Sequence, residues 1–171
     1  MKTIIESETE DDYEHITRFH ITAFKGDGET KLVEKLWKTT EYIPKLSLVA
    51  KYETKIIGHI LLYPIKIINE KEDDTLALAP ISVLPKFQGN EIGSNLIREA
   101  LEKTQKLGFK SVIVVGNSEY YPKFGFKKAS KYGISAPFEV SDVSFFALKL
   151  KKNILKKCRG TVDYPPEFLE G

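Results

Sequence analysis

The sequence predicts one domain of the α/β (α+β) class, with a mixed central sheet and helices on both of its faces. Its 171 residues suit one domain rather than two. Hydrophobic residues make up 42% and charged residues 29%, which is typical of a soluble globular protein. One strand-like segment and two helical segments precede three further strand-like segments, and these precede a helix, a strand, a helix and further strands. We assign residues 1–150 to the domain and 151–171 to a C-terminal extension packed on it.

The N-terminal half shows the two periodicities that distinguish helices from strands. Apolar residues spaced by three and four follow Asp11 and Asp12, which predicts a capped helix. The same spacing predicts a second helix at residues 29–39. Apolar, β-branched segments on either side of Glu53-Thr54 predict an antiparallel hairpin. The predicted strands of this half cover residues 3–6, 46–52 and 55–68.

The C-terminal half contains a strand–helix–strand unit. Residues 75–84 are apolar and strand-like, with Pro80 marking an irregularity such as a bulge. Residues 91–107 predict an amphipathic helix, and the β-branched residues 110–115 predict a central strand. Such crossovers are almost always right-handed. The remaining predicted elements are a short helix at 118–123 and strands at Phe126 and 143–150.

Charge and cysteine content exclude several classes of protein. The net charge of +2, from 26 basic and 24 acidic residues, is too balanced to indicate a nucleic-acid partner. An acidic run at 6–14 and a basic run at 149–159 predict solvated surface, with an anionic-ligand or membrane-surface patch as the alternative for the basic run. Cys158 is the one cysteine, which fits a reducing compartment. The charged N-terminus and the broken apolar runs predict a cytoplasmic protein without a membrane span.

The most informative segment joins the strand at 75–84 to the helix at 91–107. Gly89 and Gly93 lie at this junction. A glycine-containing loop that opens a helix offers unpaired N–H groups and the positive end of the helix dipole, which together favour a phosphate or pyrophosphate. The segment lacks the Gly-Lys-Ser/Thr of a P-loop and the Gly-x-Gly-x-x-Gly of a dinucleotide site.

Two motifs resemble the GNAT family of acyl-CoA-dependent N-acetyltransferases. Gln88 and Gly93 match the first and last positions of its Gln/Arg-x-x-Gly-x-Gly/Ala motif, and Tyr121 stands four residues before Gly125, as in a later family motif. The resemblance covers nearly the whole chain and is to the branch that includes the YhbS-like predicted acetyltransferases. One position departs, because Glu91 stands where the family usually has glycine. We expect its carboxylate to point to solvent, where it favours the helix dipole.

The resemblance implies acetyl-CoA as co-substrate, no metal, and direct attack of a primary amine on the thioester. Tyr121 is then the general acid that protonates the leaving thiolate, and the main chain of residues 81–83 pairs with the pantetheine arm like an added strand. The acceptor is a small-molecule or protein amine that the sequence does not name. The residues implied to bind the donor are Ile81, Ser82, Val83, Gln88, Gly89, Asn90, Glu91, Ile92, Gly93, Ser94, Asn117 and Tyr121.

The general base is the least defined part of the predicted site. Glu29 lies where the family's acceptor-binding segment usually sits, and His59 has a suitable intrinsic pKa. A solvated carboxylate and a histidine satisfied within the sheet are the alternatives, and a water chain would also serve. Two other functions stay open: a non-catalytic CoA-binding protein, and an acyltransferase that uses a longer acyl chain or an acyl carrier protein. A homodimer is also left open.

Overall fold

The computed structural model of the chain describes residues 2–24, 28–68, 74–151 and 160–169. The strands within these ranges are β1 (Thr3–Ser7), β2 (Ser47–Tyr52), β3 (Lys55–Ile68), β4 (Thr75–Val83), β5 (Ser111–Val115), β6 (Lys127–Lys128), β7 (Phe145–Lys149) and β8 (Thr161–Asp163). The helices are α1 (Tyr13–Phe24), α2 (Gly28–Trp37), α3 (Ile92–Lys106) and α4 (Pro166–Leu169).

The eight strands form a mixed sheet, which confirms the predicted fold class. The strand order is β1-β2-β3-β4-β5-β7-β6, and β8 pairs with β3. β4 and β5 are parallel, as the strand–helix–strand unit predicts, and β2 and β3 form the predicted antiparallel hairpin. The chain divides into two compact units, and β3 and β4 each contribute residues to both.

The first unit comprises Met1–Tyr63 and Ala79–Thr104. Its core contains the apolar faces of α1, α2 and α3, as their spacing predicts. Gly58 on β3 allows α3 to pack closely, because a Cβ there would lie 3.0 Å from Leu96 Cδ1 and 3.3 Å from Ile92 Cγ2. The largest fully buried apolar side chains of this unit are Ile16, Leu36, Leu46, Leu48, Ile57, Ile60, Leu61, Leu62, Tyr63, Leu96 and Ile97.

The second unit comprises Pro64–Leu78 and Gln105–Leu169. One buried cluster holds it together, formed by apolar residues from β3, β4, β5, β7 and β8 and from the segment between β6 and β7. Tyr164 and Phe168 from the C-terminal segment pack against this cluster. The buried members are Ile65, Ile67, Ala77, Ile113, Ala129, Ile134, Phe145, Ala147 and Val162.

Several details differ from the sequence predictions. A 3₁₀ turn, Glu10–Asp12, leads into α1, and its N-cap is Thr9 rather than Asp11 or Asp12. The N–H of Thr9 donates to Asp12 Oδ2 at 3.0 Å in a capping box. The strand predicted at Phe126 begins at Lys127, and the C-terminal segment contains an unpredicted strand, β8. Pro80 follows a cis peptide bond. Cys158 and most of the basic run lie outside the described residues.

No helix in the described parts of the chain is long and apolar enough to cross a membrane.

Candidate active site

The loop that follows β4 is held by hydrogen bonds from its own amide side chains. A short 3₁₀ helix, Pro85–Phe87, leaves the strand. Gln88 Nε2 then donates to the carbonyl oxygen of Val83 at 3.1 Å, and Asn90 Nδ2 donates to that of Phe87 at 3.1 Å. These two side chains, both predicted donor-site residues, therefore fix the path of the backbone into α3.

The loop contains two residues in the left-handed region. Gly89 has φ +83° and Glu91 has φ +60°. Glycine adopts such angles at no steric cost, whereas a residue with a Cβ loses about 1 kcal/mol or more. Glu91 thus keeps the conformation that the motif's usual glycine favours. Its side chain is exposed, which agrees with the expected orientation toward solvent.

The N-terminus of α3 follows at once. Glu91 O accepts the N–H of Asn95 at 2.9 Å, so the first intrahelical bond starts at Glu91. The N–H groups of Ile92, Gly93 and Ser94 in the first turn have no partner within the helix, because helical bonds reach back four residues. With the helix dipole, this junction has the chemistry of an anion site.

The strand before the loop is half-buried where the donor-binding residues were predicted. Ile81, Ser82 and Val83 at the end of β4 each keep part of their surface accessible. The parallel register of β4 and β5 covers Thr75–Ala77 against Ser111–Ile113. The pairing of residues 81–83 with a pantetheine arm stays a prediction.

Tyr121 lies in the second unit at the start of the 3₁₀ helix Tyr121–Phe124. Its ring contacts those of Tyr120, Phe126 and Phe146, with centroids 5.3, 5.7 and 6.1 Å away, and only 6% of the residue is exposed. Burial, together with the neighbouring Tyr120, raises the pKa of Tyr121 to about 12. The phenol is therefore protonated at neutral pH, as a proton donor must be.

Two residues near the end of β5 shape the turn that carries Tyr121. Asn117 accepts the N–H of Glu119 on its side-chain oxygen at 2.7 Å and that of Tyr120 on its carbonyl oxygen at 3.2 Å. A Cβ at Gly116 would lie 2.3 Å from Tyr121 Cε2, so a side chain at this position would overlap the ring. The sequence motif pointed to Asn117 and Tyr121, whereas Gly116 becomes visible only through this contact.

The two base candidates lie in different surroundings. Glu29 is half-buried in the first turn of α2. His59, on β3, has no exposed surface, and both of its ring nitrogens are hydrogen-bonded. Nδ1 lies 2.9 Å from His20 Nε2, while Nε2 lies 3.0 Å from Ser47 Oγ and 3.1 Å from Glu8 Oε2.

The carboxylate of Glu8 joins this histidine pair to two aromatic side chains. Oε1 accepts the Trp37 indole N–H at 2.8 Å and the hydroxyl of Tyr42. Burial alone would raise the pKa of Glu8, but the hydrogen bond and charge of His59 and the hydroxyls of Ser47 and Tyr42 hold it below its usual value.

The sequence predicted this acidic run as solvated surface, and Glu8 corrects that prediction because only 4% of it is exposed. We name residues Glu8, His20, Trp37, Tyr42, Ser47 and His59 the buried polar network. Burial at this position was unreadable from the sequence, since the partners of Glu8 lie 29 to 51 residues away.

A cavity of about 660 Å³ opens in the second unit, in the region between β6 and β7. Two of its lining residues, Ile134 and Phe145, are buried apolar side chains. Its size is in the range of small-molecule sites. The lining residues are Ser130, Ile134, Ser135, Ala136, Phe138, Glu139, Val140, Ser141, Asp142 and Phe145.

Comparisons with known proteins agree with this description. Residues 8–126 match the model of the acetyltransferase (GNAT) family. The uncharacterized N-acetyltransferase YjhQ of Escherichia coli K12 is 35% identical over 133 residues, covering 77% of this chain and 74% of that protein. The chain therefore belongs to the GNAT family and is an acyltransferase.

Two solved structures extend the comparison. The GNAT family N-acetyltransferase YhbS from E. coli, crystallised in complex with CoA, matches with a TM-score of 0.92 at 24% identity. The match covers 99% of this chain and 93% of that chain. A GNAT family acetyltransferase from Brucella melitensis, in complex with acetyl-CoA, has a TM-score of 0.79 at 28% identity and covers 98% of both chains. The predicted resemblance to YhbS-like proteins is confirmed.

Proposed function

We propose that the chain transfers an acetyl group from acetyl-CoA to a primary amine by direct attack on the thioester. The observation that carries this proposal is the junction of β4 and α3, where left-handed residues at positions 89 and 91 lead into an open helix N-terminus. The complexes of the two relatives with CoA and acetyl-CoA support the same donor for this chain.

The loop would hold the pyrophosphate of the donor. The N–H groups of Ile92, Gly93 and Ser94, with the helix dipole, favour negative charge there. Gln88 and Asn90 would act by shaping the loop, since their side-chain amides are already bonded to its carbonyl groups. The main chain of residues 81–83 would bond to the pantetheine amides.

Tyr121 would serve the leaving thiolate. Its pKa of about 12 lies about 3.5 units above that of a thiol near 8.5, so complete proton transfer to a free thiolate is uphill. The hydroxyl would therefore act mainly as a hydrogen-bond donor that stabilises negative charge growing on sulfur as the C–S bond breaks. This role is narrower than that of the general acid that the sequence predicted.

The amine proton would pass to Glu29 or to a water chain. A base must come within hydrogen-bond reach of the proton that it removes. His59 is wholly buried among Glu8, His20 and Ser47, which supports a structural role for it. The cavity between β6 and β7 has the size of a small-molecule site, which supports a small-molecule acceptor.

The deciding experiment measures thiol release from acetyl-CoA with a panel of small amines. Tyr121→Phe should lower turnover at least tenfold while CoA still binds with nearly unchanged affinity, because the ring stays and only the hydroxyl is lost. Turnover that survives the substitution would remove Tyr121 from the mechanism. CoA binding without turnover on any amine or acyl donor would favour a binding protein instead.

A further inference from the structure

In the loop Gln88–Glu91, which we name the donor loop, Glu91 is the one residue that combines three features. It has a left-handed φ of +60°, its side chain is exposed, and it directly precedes the first turn of α3. It is also the one ionisable side chain between Gln88 and Ser94. In the segment 85–94, Lys86 carries the opposite charge, so Glu91 brings the formal charge of the segment to zero.

The dipole of α3 would stabilise both the Glu91 carboxylate and a bound pyrophosphate. A negative side chain at a helix N-terminus is stabilised by the dipole when the protein is empty. A pyrophosphate at the same N–H groups is stabilised by the same dipole and is repelled by the carboxylate. The side chain therefore stabilises the empty protein and opposes the ligand.

We propose that Glu91 sets the donor affinity of this enzyme: it weakens the binding of acetyl-CoA and CoA alike, and thereby speeds CoA release. This inference rests on the proposed function, since it needs the pyrophosphate at the β4–α3 junction. The left-handed backbone at position 91 keeps the N–H groups of α3 in the arrangement that glycine would give. Glutamate at position 91 therefore differs from glycine mainly in the negative charge that it places near a bound ligand.

The test compares wild type with Glu91→Gln, which removes the charge and keeps the side-chain length. At low ionic strength, calorimetry should show CoA binding about threefold to tenfold more tightly to the variant. That gain should shrink toward unity at 0.5 M salt, because the Debye length falls to about 4 Å. The inhibition constant of CoA should fall in parallel with its dissociation constant.

A donor without phosphate separates electrostatics from structure. S-acetylpantetheine carries the thioester and the pantetheine arm but no pyrophosphate, so Glu91→Gln should change its kcat/KM far less than it changes the affinity for CoA. Glu99→Gln is the matched control, because it removes a carboxylate eight residues along α3, about 12 Å away. It should leave CoA affinity unchanged.

The outcomes distinguish this inference from the function on which it rests. Equal CoA affinity in wild type and Glu91→Gln, or a gain that salt does not reduce, overturns the role of Glu91 and leaves the acetyltransferase intact. Failure of wild type to bind CoA at all overturns the proposed function. The Tm without ligand should be lower for Glu91→Gln, because the variant lacks the carboxylate that the dipole of α3 stabilises. An equal or higher Tm would contradict this interaction between the dipole and Glu91.

Discussion

Tyr121 depends on a glycine five residues before it. The ring lies against Gly116 on one side and contacts Phe126 and Phe146 on others, so it has little room to retreat. A close approach of this kind requires a residue without a Cβ, although the backbone angle of Gly116 is not in the left-handed region. The glycine thereby helps to fix the ring of Tyr121, the proposed hydrogen-bond donor to the leaving sulfur.

We predict that Gly116→Ala lowers both stability and turnover. The new methyl group would lie 2.3 Å from Tyr121 Cε2, and displacing a packed ring costs about 1–3 kcal/mol. Urea unfolding measures the first effect and thiol release the second. In a Tyr121→Ala background the same substitution should cost much less, because the overlapping ring is gone. An equal cost in both backgrounds would show that the methyl group acts elsewhere.

At the scale of elements, the sequence predicted the long and strongly periodic ones. α3 was predicted at 91–107 and is observed at Ile92–Lys106, because its apolar spacing and Gly108 mark both ends. β8 was not predicted, since a three-residue strand carries almost no periodicity of its own. It exists because Lys66, Ile67 and Ile68 of β3 offer it backbone partners.

At the candidate site too, the sequence predicts features that are local in the chain better than those that join distant residues, as the donor loop and the buried polar network show. The loop is local in sequence, so its motif predicted its position, and Glu91 was recognised as a departure. Its left-handed angle required coordinates. His59 was predicted as a base or as a histidine satisfied within the sheet. Its partners Glu8 and His20 lie 51 and 39 residues away, a separation that spacing in one sequence does not connect.

Gly160 explains how the C-terminal segment reaches β3. A Cβ at this position would lie 2.4 Å from the carbonyl oxygen of Ile68. We therefore predict that Gly160→Ala shifts β8 from its partner and lowers the free energy of unfolding by about 1–3 kcal/mol. A displaced β8 would also lose its bond to Ser135, so hydrogen exchange should show faster exchange of the Val162 N–H, which in wild type donates to Ser135 O at 2.9 Å.

Gly108→Ala is the control for this substitution. Nothing lies within 4 Å of a Cβ at Gly108, but its φ is +90°, so alanine there meets only the backbone cost of about 1 kcal/mol. It should destabilise the chain without accelerating exchange at Val162. Equal protection of Val162 in wild type and Gly160→Ala would contradict the proposed contact.

At the scale of the whole molecule, the buried polar network links stability to pH. Burial and the neighbouring His59 lower the pKa of His20 to about 3, whereas an unfolded histidine titrates near 6.5. Between these two pKa values, His20 binds a proton in the unfolded chain but not in the folded chain. The free energy of unfolding therefore falls as the pH drops below about 6.5. Glu8 acts in the same direction below its usual value near 4.5, because its folded pKa is also lowered.

The magnitude follows from proton linkage at His20. Between pH 7 and pH 4.5 its contribution should fall by about 2–3 kcal/mol. His20→Leu, similar in volume and unable to titrate, should therefore show a smaller loss of stability over this range than wild type, as measured by urea unfolding at each pH. His15→Gln changes an exposed histidine on the same helix and should keep the wild-type pH dependence. If the stability of wild type and of His20→Leu fell in parallel with pH, His20 would not couple folding to pH.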